Sequence, residues 1–107
     1  MKKVYNKLVR DLIPEIIQKS GNRCVISTLD EQNYTLELEK KLLEETNEYI
    51  ADKTAEELAD ILEVIYALAK LKGVSKEELE EIRLKKHEKR GGFSKRLFLQ
   101  SVTEGEE

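Results

Sequence analysis

The 107-residue chain has one cysteine, one proline, one histidine and no tryptophan. A lone Cys24 cannot form an internal disulfide, so nothing in the chain requires an oxidising compartment. No apolar run approaches the ~18 residues of a membrane span. The opening MKKVYNKLVRD is basic but lacks the apolar stretch of a secretory signal, and these features together read as a cytoplasmic protein. Aromatic residues are 6% of the chain, too few to suggest a large β-sandwich. With 39% apolar residues the composition is not that of a disordered chain, and residues 1–107 read as one domain with a modest core.

Charge is abundant, at 38% of residues, and unevenly spread. Residues 83–96, RLKKHEKRGGFSKR, carry seven Lys or Arg against one Glu. That segment is +6, which leaves −9 elsewhere in a chain of net charge −3. An acidic centre and a basic segment suit joint binding of a cation and an anionic ligand, although charge runs are more commonly solvated faces.

Start and stop residues divide the chain into four expected helices. The first spans 12–20, with Asp11 as N-cap, Pro14 in its first turn and Gly21 as its stop. The second spans 31–51 behind Asp30, and the third spans 55–72 before Gly73. Ser75 opens the fourth through a Ser75-x-x-Glu78 capping box, and Gly91 and Gly92 end it. RCVISTL (23–29) is β-rich, with Cys24 as a small buried residue, and KRLFLQSV (95–102) is a candidate partner strand. TEGEE reads as a frayed tail. The expected fold is therefore an all-α helical bundle built on the 31–51/55–72 hairpin, with a two-stranded antiparallel element at most.

Carboxylates crowd the seam of that hairpin. On a helical wheel Glu57 falls within the stripe of Ile61, Val64, Leu68 and Leu71, and Asp60 falls on its edge. Leu36, Leu38, Leu42, Leu43, Tyr49 and Ile50 form the apolar arc of the second helix, flanked by Glu45. With the turn centred near Asp52 and Lys53, Glu48 lies level with Glu57, and Glu45 with Asp60. Four carboxylates can then meet on one patch. Oxygen ligands without converging His or Cys suit Mg²⁺ or Mn²⁺ rather than zinc, and such ions share their shell with phosphates. Spacing alone leaves a second reading open. Thr54-x-x-Glu57 is itself a capping box, and Glu44, Glu45 and Glu48 can be surface residues.

The pattern Glu44-Glu45-x-x-Glu48 followed by Glu57-x-x-Asp60 resembles the signature of the all-α nucleoside triphosphate pyrophosphohydrolases. That superfamily includes MazG, the dimeric dUTPases and phosphoribosyl-ATP pyrophosphohydrolase. The opening YNKLVRDLIPEII and the late KRGGF are similar to a MazG-like branch of predicted house-cleaning enzymes. The resemblance implies Mg²⁺-dependent cleavage between the α- and β-phosphates of a nucleoside triphosphate, giving a monophosphate and pyrophosphate. By motif position the metal ligands are Glu45, Glu48, Glu57 and Asp60, with Glu44 a secondary ligand or water-orienting residue alongside Glu45. It also implies a homodimer or higher oligomer, with the nucleotide pocket built between subunits. The eight residues between Glu48 and Glu57 are fewer than the family usually has.

Arg83, Lys86 and Arg90 continue the face that Leu79 and Ile82 begin on the fourth helix, so they are expected phosphate contacts. The alternative is snorkelling over a bundle end. Lys95 is a weaker candidate, as is Arg96, and Lys7 and Arg10, near Asn6, can approach the same site from the N-terminus. His87 points away from the Leu79 face and reads as a surface residue. Two other functions compete with triphosphate hydrolysis: a phosphoribosyl-ATP pyrophosphohydrolase-like activity, and a non-catalytic regulatory protein that binds nucleic acid or an acidic partner. Only Phe93 and Phe98 interleave the basic segment, which disfavours nucleic acid.

Overall fold

The computed structural model describes residues 1–105. Glu106 and Glu107, the end of the expected frayed tail, lie outside the described residues. The described residues form four helices: α1 (Ile13–Lys19), α2 (Glu31–Asp52), α3 (Ala55–Leu71) and α4 (Lys76–Arg90). The chain divides into two compact units, Met1–Lys76 and Glu77–Glu107. No strand occurs among the described residues, and no helix of theirs is long and apolar enough to cross a membrane.

The first unit is organised by the α2–α3 hairpin. Asp30 is extended and its Oδ1 accepts from the Asn33 backbone N–H at 2.8 Å, which satisfies one of the orphan donors that begin α2. No glycine or proline interrupts the next 22 residues. The helix stops at Lys53, whose left-handed backbone (φ 57°) lets its N–H reach the Tyr49 carbonyl. Thr54 then caps α3 at once, its Oγ1 accepting from the Glu57 N–H at 3.3 Å. Gly73, at φ 76°, takes the conformation that ends α3. Leu38, Val64 and Ala69 are the buried apolar side chains. Fully burying a Leu or Val stabilises by about 1.5–3 kcal/mol, so this core is small.

Several expectations are corrected. The N-cap of α1 is Leu12, not Asp11, and it makes no side-chain cap bond. Were Asp11 the cap, its carboxylate would need the N–H of residue 13 or 14. Ile13 already donates to the Arg10 carbonyl at 3.0 Å, and Pro14 has no N–H. Residues 23–29 and 95–102 form no strands. Val25 and Ile26 in the first, and Leu97, Phe98 and Leu99 in the second, are exposed. A strand pair without a covering layer is marginal, and these runs have none. Cys24 is half-buried in a loop, its Sγ 4.0 Å from the Pro14 carbonyl oxygen. The expected apolar arc of α2 is only partly buried, since Leu36, Leu43 and Ile50 are exposed. The arc is wider than a single partner helix can cover.

In the second unit α4 ends as expected at Gly91, whose φ is 81° and whose N–H donates to the His87 carbonyl at 2.7 Å. Arg83 pairs with Glu80 one turn away, Nε to Oε2 at 2.9 Å. Every residue from 80 to 105 is exposed, His87 among them.

Replacing Asp30 by Ala removes the α2 cap and is expected to lower stability by about 1 kcal/mol. Asp30→Asn, which keeps the acceptor, should lose much less. Urea denaturation of the three proteins followed by circular dichroism checks the difference.

Candidate metal centre

Glu45 occupies a position that its chemistry disfavours. It projects from α2 into the seam and is only 8% exposed, the one buried charged residue of those described. Carboxylate oxygens of Glu45, Glu57 and Asp60 lie within 4.8 Å of one another, with Glu57 and Asp60 half-buried. The hairpin register brings them together, because Glu45 and Asp60 stand at equal distance from the turn and Glu57 lies one helical turn below Asp60. Thr54 takes the backbone N–H of Glu57, which leaves the Glu57 carboxylate free to join the cluster. Glu57 thus serves both readings: its amide belongs to the cap and its side chain to the seam.

Electrostatics record the crowding. The Glu45 carboxyl is pushed above its usual range, first by burial, then by a side-chain hydrogen bond and like charge from Glu48, with Asp60 adding to the effect and Lys41 opposing it. Glu57 is also raised, by desolvation first, then by the like charges of Glu48, Asp52 and Asp60. Glu45 Oε2 is buried and has no hydrogen-bond partner among the described residues. A buried polar atom without a partner costs about 1–3 kcal/mol, more when charged, so a helix seam does not retain one without compensation.

Two cations counter the cluster. Arg10 reaches it from outside the hairpin, Nη2 to Asp60 Oδ1 at 2.6 Å. Lys41 stands 3.6 Å from both Glu44 Oε1 and Glu45 Oε1. Lys41 was not among the expected site residues, although its i,i+3 and i,i+4 spacing to Glu44 and Glu45 is the pattern that pairs charges on a helix. Glu44 is held in that pair and is not one of the three converging carboxylates. Glu48 is exposed but close enough to raise both Glu45 and Glu57. Of the expected N-terminal contacts, Arg10 arrives, while Lys7 Nζ lies 5.7 Å from the Tyr5 ring. Arg83, Lys86, Arg90 and Lys95 all belong to the second unit and are solvent-exposed.

The donor set is all oxygen, with His87 and Cys24 outside it. Such a set suits a hard divalent ion, Mg²⁺ or Mn²⁺. The unpartnered Glu45 oxygen is where a cation would supply the missing partner. Of the four carboxylates expected as ligands, Asp60 is paired with Arg10 and Glu45 with Lys41, which Glu44 shares.

The pH dependence of stability follows from the two raised carboxyls. Each binds its proton more tightly folded than unfolded. Their contribution is fully present below the unfolded glutamate value of 4.5 and is lost as pH rises through the folded values. In EDTA, Glu45→Gln and Glu57→Gln are therefore expected to melt higher than wild type at pH 7 and to show little or no gain at pH 4. Thermal melts at the two pH values check this.

Set beside known proteins, the chain matches no family model, no curated protein and no solved structure.

Proposed function

We propose that the protein is a Mg²⁺-dependent nucleoside triphosphate pyrophosphohydrolase. It cleaves between the α- and β-phosphates to release a nucleoside monophosphate and pyrophosphate, and it acts in the cytoplasm as a homodimer or higher oligomer. The observation that carries this reading is the buried, unpartnered Glu45 oxygen within a ring of converging carboxylates. The sequence resemblance to the MazG-like hydrolases, which rests in part on the same carboxylates, points the same way. Glu45, Glu48, Glu57 and Asp60 would hold the ion, with Mn²⁺ as a substitute. The chemistry such an ion supplies when bound is charge neutralisation at phosphate oxygens and activation of water.

The remaining roles belong to the chain. Arg10 fixes the orientation of the Asp60 carboxylate through their ion pair. Lys41 holds Glu44 and Glu45 on one side of α2. Glu44, more exposed than Glu45, is assigned the orientation of the attacking water. Burial keeps Glu45 in one conformation, so catalysis draws on positioning and fixed charge rather than on a mobile general base. In the second unit, Arg83, Lys86 and Arg90, with Lys95, supply cations of the kind that bind phosphate oxygens.

Pyrophosphate release from a panel of nucleoside triphosphates tests the reading. Activity should need Mg²⁺ and disappear in EDTA. Glu57→Gln and Asp60→Asn should each lower turnover about 100-fold or more with helicity unchanged. Wild-type turnover and magnesium dependence in both variants would sink the assignment. Binding of mono- and triphosphates to Lys86→Ala and Arg90→Ala tests the cationic residues. Triphosphate affinity should fall further than monophosphate affinity, and equal losses would remove these residues from the phosphate role.

A further inference from the structure

The second unit carries apolar side chains that neither its own packing nor phosphate binding uses. Phe93, Leu97, Phe98, Leu99 and Val102 are each between 78% and 95% exposed, five large apolar groups within residues 93–102. A turn sets them out. The Arg96 N–H donates to the Phe93 carbonyl at 3.1 Å, and Arg96 takes the left-handed region at φ 58°. Phe93 opens this turn and Leu97 leaves it. Leu97, Phe98 and Leu99 are consecutive, so they cannot share one side of the backbone. In a strand they alternate sides, and in a helix they span about 200°. A flat partner face covers one side of such a segment. A medium into which it sinks covers all of them.

The cations beside this segment form a broad face. With Leu79 at 0° on the α4 wheel, Arg83, Lys86 and Arg90 fall within about 40° of it, and Lys89 and Lys85 fall near about −80° and −120°. The exposed Ile82 sits inside that arc, while Glu81 and Glu88 lie on the opposite side of the helix. A single phosphate group is met by a few converging cations. Five cations spread over about 160° of a helix, with an exposed Ile among them, suit a planar anionic surface instead.

We propose that α4 and residues 93–102 dock on an anionic lipid surface. The Lys and Arg heads meet the lipid phosphates and carboxylates, with their stems along the apolar boundary. The apolar side chains sink to the edge of the acyl region, about 5–10 Å below the headgroups. The chain as a whole carries −3 and would be repelled, but residues 83–96 carry +6. Screening within about 8 Å at physiological salt makes the local charge decisive. Nucleic acid also presents phosphates, yet it takes apolar groups mainly by stacking, which suits Phe93 and Phe98 and not Leu97, Leu99 or Val102. The proposal does not rest on the hydrolase reading, in which Lys85, Lys89 and these apolar side chains have no part.

The test mixes the full chain with vesicles of phosphatidylcholine alone and of equal parts phosphatidylcholine and phosphatidylserine. EDTA is present, so no divalent ion can bridge carboxylates to headgroups. Co-sedimentation should show affinity at least about tenfold higher for the mixed vesicles, and about 1 M salt should remove most of that preference. Lys85→Glu combined with Lys89→Glu should lower affinity for the mixed vesicles about tenfold or more. The triple variant Leu97→Ser, Phe98→Ser, Leu99→Ser should do the same with circular dichroism unchanged, because these residues lie outside every helix. The chain has no tryptophan, so Phe98→Trp is a single reporter. Its emission should shift to the blue on mixed vesicles and be quenched by lipids brominated on the acyl chain, whereas that of Leu36→Trp on α2 should not. Equal binding to both vesicles, or to neither, would overturn the proposal. So would quenching of Leu36→Trp in place of Phe98→Trp, or binding of a DNA duplex without binding of vesicles, which would assign the face to nucleic acid.

Discussion

A carboxylate with an unpaired oxygen in a helix–helix seam is the constraint on which the rest of this structure depends. Glu45 could be relieved by rotating outward, by protonation or by a cation. Its position between α2 and α3 limits the first, since the helix that carries it is fixed by the Asp30 cap and the packing of Leu38. The raised Glu45 carboxyl shows the second in part. Arg10 and Lys41 supply the third in part, yet each bonds elsewhere in the cluster and leaves Glu45 Oε2 without a hydrogen-bond partner. Three partial compensations around one atom leave a cost that the stability of the hairpin bears.

That sacrifice is made where the hairpin has least apolar support. Leu38, Val64 and Ala69 form a small core, and the seam near the turn is lined by acidic groups rather than by Leu or Ile. Rigidity there comes from the ends of the helices instead. Lys53 in the left-handed region and Thr54 as an immediate cap make the turn short, so α2 and α3 cannot slide in register without breaking both terminations. Register is what sets Glu45 against Asp60. The tight turn is therefore as much a part of the site as the carboxylates, and the eight-residue connection from Glu48 to Glu57 is the sequence form of that tightness.

The hairpin and its acidic seam were legible in the sequence because both rest on local rules. Asp30 and Thr54 as caps, the α3 stripe through Val64, and the pairing of heights about the turn are read from spacing alone, and the structure follows them. What failed depended on context. Asp11 looked like a cap, but two donors it needed were taken or missing. Residues 23–29 and 95–102 have strand-like composition without a layer to cover them, and composition does not reveal that. The breadth of the α2 arc was visible, but which half of it met α3 was not, because a wheel shows directions and not partners. Arg10 lies 50 residues from Asp60, beyond any helical periodicity, so only its charge suggested the contact.

The two faces of the hairpin divide the work between opposite kinds of surface. The carboxylate side gathers charge that water alone would solvate more cheaply, and the other side leaves Leu36, Leu43 and Ile50 where water is the worst neighbour. A hairpin with this little core gains nothing from either arrangement by itself. A cation on one side and apolar cover on the other would each remove a cost that the isolated chain bears. Because the same two helices carry both faces, relief of either cost holds α2 and α3 in the register the other requires. Coupling of this kind needs no moving part, only a shared pair of helices whose relative position is fixed by whatever binds on either side.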